Sequence, residues 1–305
     1  MQLYDENLFK GKTKLRVEIL HDTIERFDSE FDNYKNSASQ NMRRWEESTT
    51  KLCIEAPTIV CIEGDTLDVT QALTKMLGTQ FACINMANQF FPGGGYTKGC
   101  RAQEENMFRR TNAHYTLTKD VLEVKEYFKK KYVVYTEEMQ ELISGVSGLV
   151  YINPQPLICI KGSEDFSKDN LGYRLLAEDE IFHFIELRSA AINVSNQRKR
   201  KRDRTIKKEM EQRIYAQFQT LVKHKIRHVV LSAFGCGAFG NDPKMVASIY
   251  HKCLEKNFVK EFDVVAFAIY FAGKGESNLS IFRSTLKDTK GWRFVESLQQ
   301  LEPTP

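Results

Sequence analysis

The sequence predicts an α/β protein in which helices cover both faces of a sheet. Short apolar runs typical of buried strands recur along the chain, among them 58–62, 227–234 and 262–271. Segments with helical spacing of apolar residues separate these runs, and such alternation favours two helical layers around one sheet. Two glycine-rich loops each follow a strand and precede a helix. Because ligands in such folds bind at the carboxyl ends of strands, both loops are expected to converge on one cleft.

Composition and charge restrict the class of protein. The chain has 305 residues, of which 42% are hydrophobic and 28% are charged, an ordinary profile for a globular protein. The net charge of +4 does not require a nucleic-acid or membrane partner, and direct DNA binding is not expected. No apolar run reaches the roughly 20 residues of a membrane span, and the N-terminus lacks the apolar core of a signal peptide.

The seven cysteines favour a reducing compartment, either the cytoplasm or the nucleus. Their number is odd, no pair has CxxC spacing, and most lie in apolar runs, where reduced cysteine behaves as a small hydrophobic residue. The six histidines form no HExxH pattern. We therefore predict no disulfide framework and no metal site. We also predict no cofactor, because the GxxxxGK[ST] nucleotide loop is missing from the sequence.

The first 56 residues are predicted to form a helical accessory segment in front of the main domain, residues 57–305. Apolar residues recur in this segment at helical spacing: Val17, Leu20, Ile24 and Phe27. The following stretch, 28–50, is polar and offers few apolar anchors. The segment carries no catalytic pattern, and it is expected to lean on the core.

The stretch 81–117 carries the strongest indication of function. It begins with an apolar strand, passes through the triple glycine 93–95, and ends in a polar helix with the Gln-Glu-Glu run 103–105. Glycine lets a ligand approach the main chain, and outward-pointing N–H groups of such a loop suit an anion. Taken alone, the glycines are also compatible with an ordinary turn, and the glutamates with a favourable helix dipole. Their combination predicts an anion-binding loop beside a carboxylate acid or base.

The second glycine loop, 235–243, reads GCGAFGNDP and follows an apolar strand. Asn241 or Asp242 is expected to be the N-cap of a helix whose first residue is the proline. A glycine loop at a helix N-terminus suits a diphosphate. Cys236 is not expected to be a nucleophile, since the nearest histidine, His228, lies at the far end of the preceding strand.

Together the two loops resemble a known family. The pattern GGG, seven residues and QEE is similar to the signature of poly(ADP-ribose) glycohydrolases, and especially of their microbial-type branch, a divergent macrodomain. With weaker middle segments, the resemblance covers roughly residues 57 to 272. It implies a macrodomain-like three-layer α/β/α sandwich with a mixed central sheet and an N-terminal helical extension.

The resemblance also implies an activity, the hydrolysis of the ribose–ribose O-glycosidic bond of poly(ADP-ribose) with release of ADP-ribose. Glu105 would be the general acid and base, and Glu104 would hold ribose hydroxyls near the scissile bond. The implied partner is poly(ADP-ribose) or an ADP-ribosylated protein. The residues implied to bind substrate are Asn88, Gly93, Gly94, Gly95, Gln103, Gly235, Cys236, Gly237, Ala238 and Phe239.

Alternatives remain open for both function and site. A mono-ADP-ribosyl-protein hydrolase would use the same cleft and Glu105, whereas a non-catalytic ADP-ribose reader is disfavoured because both glutamates are present. Asn88 either binds ribose, which we favour, or holds its own loop. Asp65 either contacts adenine, as in macrodomains, or caps the following helix, which we favour. The chain has Ala-Ile-Asn at 191–193 where the family usually has Ala-Pro-Asn, so no role is assigned to Asn193.

The remaining segments carry structural predictions only. Residues 118–150 are predicted to be helical or irregular, 162–170 a surface loop, and 291–301 a short terminal helix. The basic stretch 197–213 is expected to be an exposed loop and the first turns of a helix. A nuclear-localisation or polyanion-binding patch is the alternative.

Overall fold

Helices and strands alternate along the part of the chain that the computed structural model describes, residues 6–127, 129–195, 203–270 and 277–302. The helices are α1 (Glu6–Glu46), α2 (Thr66–Leu77), α3 (Gln103–Arg110), α4 (Glu137–Ser144), α5 (Asp203–Lys223), α6 (Pro243–Lys256) and α7 (Asn278–Leu286). The strands are β1 (Thr58–Glu63), β2 (Ala82–Met86), β3 (Leu122–Tyr127), β4 (Lys130–Tyr135), β5 (Tyr151–Ile152), β6 (Leu157–Cys159), β7 (Phe182–Ser189), β8 (His228–Leu231), β9 (Val264–Ile269) and β10 (Arg293–Val295).

The central sheet is mixed, and its parallel part carries the site. Strands β10, β1, β9, β8, β2 and β7 lie side by side in this order and run parallel. β5 and β6 pair with β7 in the antiparallel sense. Within β2, Ala82 pairs with Ile185 on one side and with Val229 on the other. The strand that precedes the first glycine loop therefore lies inside the sheet.

Alternate residues of the central strands face two different helical layers. Ile59 and Cys61 of β1 pack in one cluster with residues of α5, α6 and α7, whereas Val60 and Ile62 pack with residues of α2. Because both faces of these strands are covered, their sequences are continuous apolar runs rather than alternating ones. The three-layer α/β/α arrangement predicted for the chain is therefore present.

Helix α1 packs on the same core as the sheet. It has a break at Glu30, whose φ of −133° and ψ of 24° are not helical. The expectation of few apolar anchors after residue 28 is wrong, because Tyr34, Ala38 and Trp45 are all buried there. Tyr34 continues the seven-residue spacing of Leu20 and Phe27. Ala38 follows four residues later and Trp45 seven after that, intervals that keep these side chains on one face of the helix. The predicted division into residues 1–56 and 57–305 falls between α1 and β1, and it stays a prediction.

Residues 122–127 and 130–135 pair as the antiparallel strands β3 and β4 rather than forming a helical or irregular segment. Leu122 and Val124 alternate with Glu123 and Lys125, a period of two that indicates a strand. Lys130 and Lys131 begin β4.

The predicted terminal helix at 291–301 is also wrong. Its first part is β10, which pairs with β1 in parallel, and only Leu298–Leu301 forms a short 3-10 helix. A three-residue edge strand is too short to give a periodic signal. The helix that does close this part of the fold, α7, lies earlier in the chain and was not predicted.

The basic stretch is described only in part. From residue 203 onward it belongs to α5, as expected, whereas residues 197–202 lie outside the described residues. Within the described ranges, every helix is too short or too polar to cross a lipid bilayer.

Candidate active site

Glu104 and Glu105 lie in the first turn of α3, directly beneath the first glycine loop. Glu104 Oε2 accepts a hydrogen bond from the Asn88 N–H at 2.8 Å, and Glu105 Oε1 accepts one from the Gly95 N–H at 2.9 Å. The two residues are only 3% and 8% exposed. Gly94 lies over the two carboxylates and has a left-handed φ of +60°. A Cβ at Gly94 would lie 2.5 Å from Glu105 Oε1. The main chain of the loop therefore touches both carboxylates, which only glycine permits.

Each carboxylate keeps one oxygen for another molecule. Among the described residues, Glu104 Oε1 and Glu105 Oε2 are buried and have no hydrogen-bond partner. Leaving a buried polar atom unpaired costs about 1–3 kcal/mol, so such atoms require a reason to persist. Substrate hydroxyls and a glycosidic oxygen are groups that would pair with them.

Burial raises the pKa of Glu104 well above its ordinary value, and the neighbouring Glu105 adds to this effect. The Asn88 N–H and the buried Arg188 lower the pKa of Glu104, but they do not compensate for burial. The sequence suggested that a glutamate at a helix N-terminus would be stabilised as the anion. For Glu104, loss of hydration outweighs the helix dipole.

We expect Glu104→Gln to stabilise the fold at pH 8 and to change stability little at pH 4. The pKa of Glu104 is raised in the folded protein, so between the unfolded and folded pKa values the folded state holds one more proton. Stability contributed by this protonated group is therefore present at low pH and is lost as pH rises. Glutamine keeps an oxygen for the Asn88 N–H and does not ionise, which should add about 1–3 kcal/mol to the free energy of unfolding at pH 8.

Urea unfolding at both pH values measures this effect. The control is Glu47→Gln, at an exposed glutamate, which should show no pH-dependent gain. An equal gain for Glu104→Gln at pH 4 and pH 8 would contradict the protonation argument.

A buried ion pair behind the glutamates was missed by sequence reasoning. Glu186 and Arg188 of β7 are both 0% exposed, and two hydrogen bonds of 2.9 and 3.0 Å join the guanidinium to the carboxylate. Arg188 Nη1 also donates to the Tyr135 hydroxyl at 3.1 Å, and the N–H of Tyr135 donates to the carbonyl of Phe90 at 2.9 Å. The segment that leads into the first glycine loop is thus tied through Tyr135 to this pair. Opposite charges two residues apart in a strand share a face, and this was the available signal.

The expectation that the N–H groups of the first loop point outward to an anion is wrong for Gly94 and Gly95. The Gly94 N–H donates to the Phe91 carbonyl at 2.9 Å, and the Gly95 N–H donates to Glu105. This loop positions carboxylates instead of cradling a phosphate. Substrate contact by glycines 93–95 stays a prediction, and it now depends on close approach to the main chain.

Asn88 and Gln103 both hold the site together. Asn88 Oδ1 accepts hydrogen bonds from the N–H groups of Phe90 and Phe91 at 2.9 Å, so its loop-holding role is confirmed. Gln103 Oε1 accepts from the Met86 N–H at 2.8 Å, and its Nε2 donates to the Ile84 carbonyl at 2.8 Å. Gln103 therefore ties the start of α3 to the end of β2. Contact of either side chain with ribose stays a prediction.

The second glycine loop lines a cleft of about 860 Å³ at the carboxyl ends of β1, β2, β8 and β9. The five residues of this loop that the resemblance implies to bind substrate all belong to its lining: Gly235, Cys236, Gly237, Ala238 and Phe239. Gln103 also lines the cleft, whereas Glu104 and Glu105 do not and lie just beyond it under the first loop. The structure thus brings the second loop and the start of α3 to one cleft, with the carboxylates next to it.

The second loop has the open N–H groups that the first loop lacks. In the described part of the chain, the N–H groups of Gly237, Ala238 and Phe239 have no acceptor, although Cys236 and Gly240 donate within the loop. Asp242 caps α6 by accepting from the Lys244 N–H at 3.0 Å, with proline at the first helical position, as predicted. Successive free N–H groups beside a helix N-terminus form an anion-binding nest.

Cys236 has the environment of a structural thiol. Burial raises the pKa of its thiol to about 12, which leaves almost no thiolate at neutral pH. The prediction that it is not a nucleophile is consistent with this environment. Among the described residues, no group of three His, Cys, Asp or Glu side chains could hold a metal ion.

Two further parts of the cleft wall come from elsewhere in the chain. Asp65 caps α2 by accepting the Leu67 N–H at 2.8 Å, so the capping role favoured from the sequence is confirmed.

The loop 162–170 was expected to lie at the surface, but its Phe166 lines the cleft beneath Arg101, at 4.3 Å from the guanidinium to the ring centroid. Glu164 anchors this loop to α1 through Arg16. This contact joins residues far apart in sequence, which explains why periodicity missed it. Asn193 is exposed, and among the described residues its side chain accepts hydrogen bonds only from Ser195, so no role in the site is assigned to it.

The layers, the cleft at the strand ends and the buried carboxylate pair define a macrodomain-like domain with two buried glutamates next to its cleft. The family described as "Microbial-type PARG, catalytic domain" matches residues 7–142, which include α1, the first glycine loop and the Gln-Glu-Glu run. The resemblance to microbial-type poly(ADP-ribose) glycohydrolases inferred from the sequence is therefore confirmed. The matched segment begins at residue 7, well before residue 57, at which the resemblance inferred from the sequence begins.

Solved structures of this family share the fold. The chain is 22% identical to the poly(ADP-ribose) glycohydrolase of Thermomonospora curvata, with a TM-score of 0.65 over 88% of this chain and 98% of that chain. The same enzyme bound to the inhibitor ADP-HPD gives a TM-score of 0.64 with the same identity and coverage. The Deinococcus radiodurans enzyme in complex with ADP-ribose is 22% identical, with a TM-score of 0.57 over 84% of this chain and 91% of that chain. No curated protein matches the chain.

Proposed function

We propose that this protein is a glycosidase that hydrolyses the ribose–ribose O-glycosidic bond of poly(ADP-ribose) and releases ADP-ribose. The observation that carries this proposal is the pair of buried carboxylates, Glu104 and Glu105, each with one unpartnered oxygen beside a large cleft. Cleavage of an acetal needs a proton on the leaving oxygen and an activated water. The family match and the ADP-ribose bound to the Deinococcus radiodurans enzyme support the same substrate class here.

Glu105 is the general acid and base in this proposal. The Gly95 N–H holds its Oε1, which leaves Oε2 to give a proton to the departing ribose oxygen. The resulting carboxylate then removes a proton from the attacking water. Glu104 accepts a ribose hydroxyl at its free Oε1, which fixes the sugar relative to Glu105.

The diphosphate of ADP-ribose binds at the second loop in this proposal. The free N–H groups of residues 237–239 support this placement, because a diphosphate needs several donors close together. Phe239 lines the same cleft and packs against the distal ribose by family resemblance. The unpaired cysteines support a cytoplasmic or nuclear location, which also remains a proposal.

We expect Gly237→Ala to weaken ADP-ribose binding about tenfold without destabilising the fold. A Cβ at Gly237 would meet no protein atom within 4 Å, and the backbone there is not left-handed, so the chain itself accepts alanine. The added methyl group occupies space against which the diphosphate would lie. Calorimetric titration with ADP-ribose measures the loss, which we expect to be about 1.4 kcal/mol of binding free energy.

Gly11→Ala is the control, since a Cβ at Gly11 also meets nothing within 4 Å and the residue lies in α1 away from the cleft. Its affinity should equal that of the wild type. Unchanged affinity in Gly237→Ala would place the diphosphate elsewhere.

Hydrolysis of purified poly(ADP-ribose) tests the proposed function directly. The expected result is release of ADP-ribose by the wild-type protein at a rate that is abolished in Glu105→Gln. Release only from a mono-ADP-ribosylated protein would instead identify a mono-ADP-ribosyl-protein hydrolase. Tight ADP-ribose binding without release from either substrate would identify a reader.

A further inference from the structure

Two large aromatic side chains are exposed immediately before the first glycine loop. Phe90 and Phe91 are 53% and 43% exposed, respectively. The ring of Phe91 lies 6.3 Å from that of Tyr132 on β4, edge to face. The Tyr135 N–H donates to the Phe90 carbonyl at 2.9 Å and so joins the hairpin to the loop. Loop and hairpin together present one surface with exposed aromatic rings.

A lysine lies on the same face of the hairpin as Tyr132. Lys130 precedes Tyr132 by two residues in β4 and therefore shares its face of the hairpin. Lys130 is exposed, and so are its neighbours Lys129 and Lys131. We call Phe90, Phe91, Tyr132 and Lys130 the aromatic–lysine surface.

The aromatic–lysine surface is rigidly connected to the carboxylates. Phe90 and Phe91 lie between Asn88, whose N–H holds Glu104, and Gly95, whose N–H holds Glu105. The Asn88 side chain fixes the N–H groups of both phenylalanines. The main chain that carries the rings is therefore held in place relative to the carboxylates.

This surface lies outside the cleft, because none of its four residues belongs to the cleft lining. If the cleft holds the ADP-ribose that is released, the other half of the substrate must leave the site past Glu105 on another side. In poly(ADP-ribose) that other half is a further ADP-ribose unit, which carries an adenine ring and a diphosphate.

We propose that the aromatic–lysine surface is a subsite for the leaving-group ADP-ribose unit, with adenine stacked on the exposed rings and the diphosphate attracted by Lys130. The inference rests on the proposed function and deepens it, because it selects the polymer as substrate. Nucleobases stack on exposed aromatic rings, and lysines supply the charge that follows a phosphate backbone. A second copy of this chain fits the surface less well, since it would bring two groups of lysines together.

Two substrates with the same ADP-ribose but different leaving groups test the subsite. One is poly(ADP-ribose), and the other is ADP-ribose carrying 4-nitrophenol on the anomeric carbon of its distal ribose. The double variant Phe90→Ala/Phe91→Ala should lower kcat/KM for the polymer about tenfold and leave it within twofold for the nitrophenyl substrate. Lys130→Gln should lower kcat/KM for the polymer about threefold and weaken its dependence on salt.

Phe31→Ala is the matched control, since Phe31 is 39% exposed on α1. It should change neither rate. Equal losses on both substrates in the double variant would overturn the subsite, because they would mean displaced carboxylates. Unchanged polymer cleavage, or a loss confined to mono-ADP-ribosylated protein, would also overturn it. Failure of the wild-type protein to cleave either ADP-ribose substrate would instead overturn the proposed function itself.

Discussion

Replacing Glu105 with glutamine is expected to lower kcat for ADP-ribose release about a thousandfold while ADP-ribose affinity stays within about threefold. Positioned general acid–base groups contribute about 10²–10⁴ to rate. Glutamine keeps an oxygen for the Gly95 N–H, a hydrogen bond of 2.9 Å in the wild type, so the glycine loop keeps its anchor. The variant loses only the ability to exchange a proton. Single-turnover release from poly(ADP-ribose) and calorimetric binding of ADP-ribose measure the two quantities.

The leaving group separates proton donation from other roles of Glu105. A 4-nitrophenolate departs without protonation, so the loss in Glu105→Gln should be at least about tenfold smaller for the nitrophenyl substrate than for the polymer. Equal losses on both substrates would assign Glu105 to positioning or to electrostatic stabilisation. Weakened binding of ADP-ribose with an unchanged kcat would exclude it as the acid.

Much of the fold followed from the sequence because its signals were local. The strand β1 is covered on both faces, which produces the continuous apolar run 58–62 from which it was predicted. The caps at Asp65 and Asp242 depend on side chains within three residues of the helix start. The glycine loops and the glutamates were recognised from motifs of fixed spacing rather than from hydrophobic periodicity. Both loops follow the ends of strands, as those motifs predicted.

The parts that were not predicted depend on contacts between distant segments. Arg188 acquires its role because β7 lies beside β2 and because Tyr135 arrives from the hairpin. The Gly95 N–H donates to Glu105, ten residues further along the chain, and no local pattern shows this. Phe166 enters the cleft wall through a loop that α1 holds. In each case the sequence identified the chemical type of the residue but not the distant residue that it contacts.

Gly94→Ala is expected to lower kcat/KM for the polymer at least about a hundredfold. Two effects act together at this position. The φ of +60° is left-handed, which alanine adopts at a cost of about 1–2 kcal/mol. The new Cβ would also lie 2.5 Å from Glu105 Oε1 and 2.9 Å from Glu104 Oε2, so both carboxylates or the loop must move. A displacement of about 1 Å in a catalytic group can cost about 10²-fold in rate.

Gly148→Ala separates strain from displacement. Gly148 has a φ of +85°, but a Cβ there would meet nothing within 4 Å, so alanine imposes backbone strain alone. Both variants should lose thermal stability, whereas only Gly94→Ala should lose activity. Wild-type activity in Gly94→Ala would contradict the contact between the loop and the carboxylates. Comparable activity losses in both variants would mean that backbone strain is sufficient, and that the position of Glu105 does not depend on the absence of a side chain above it.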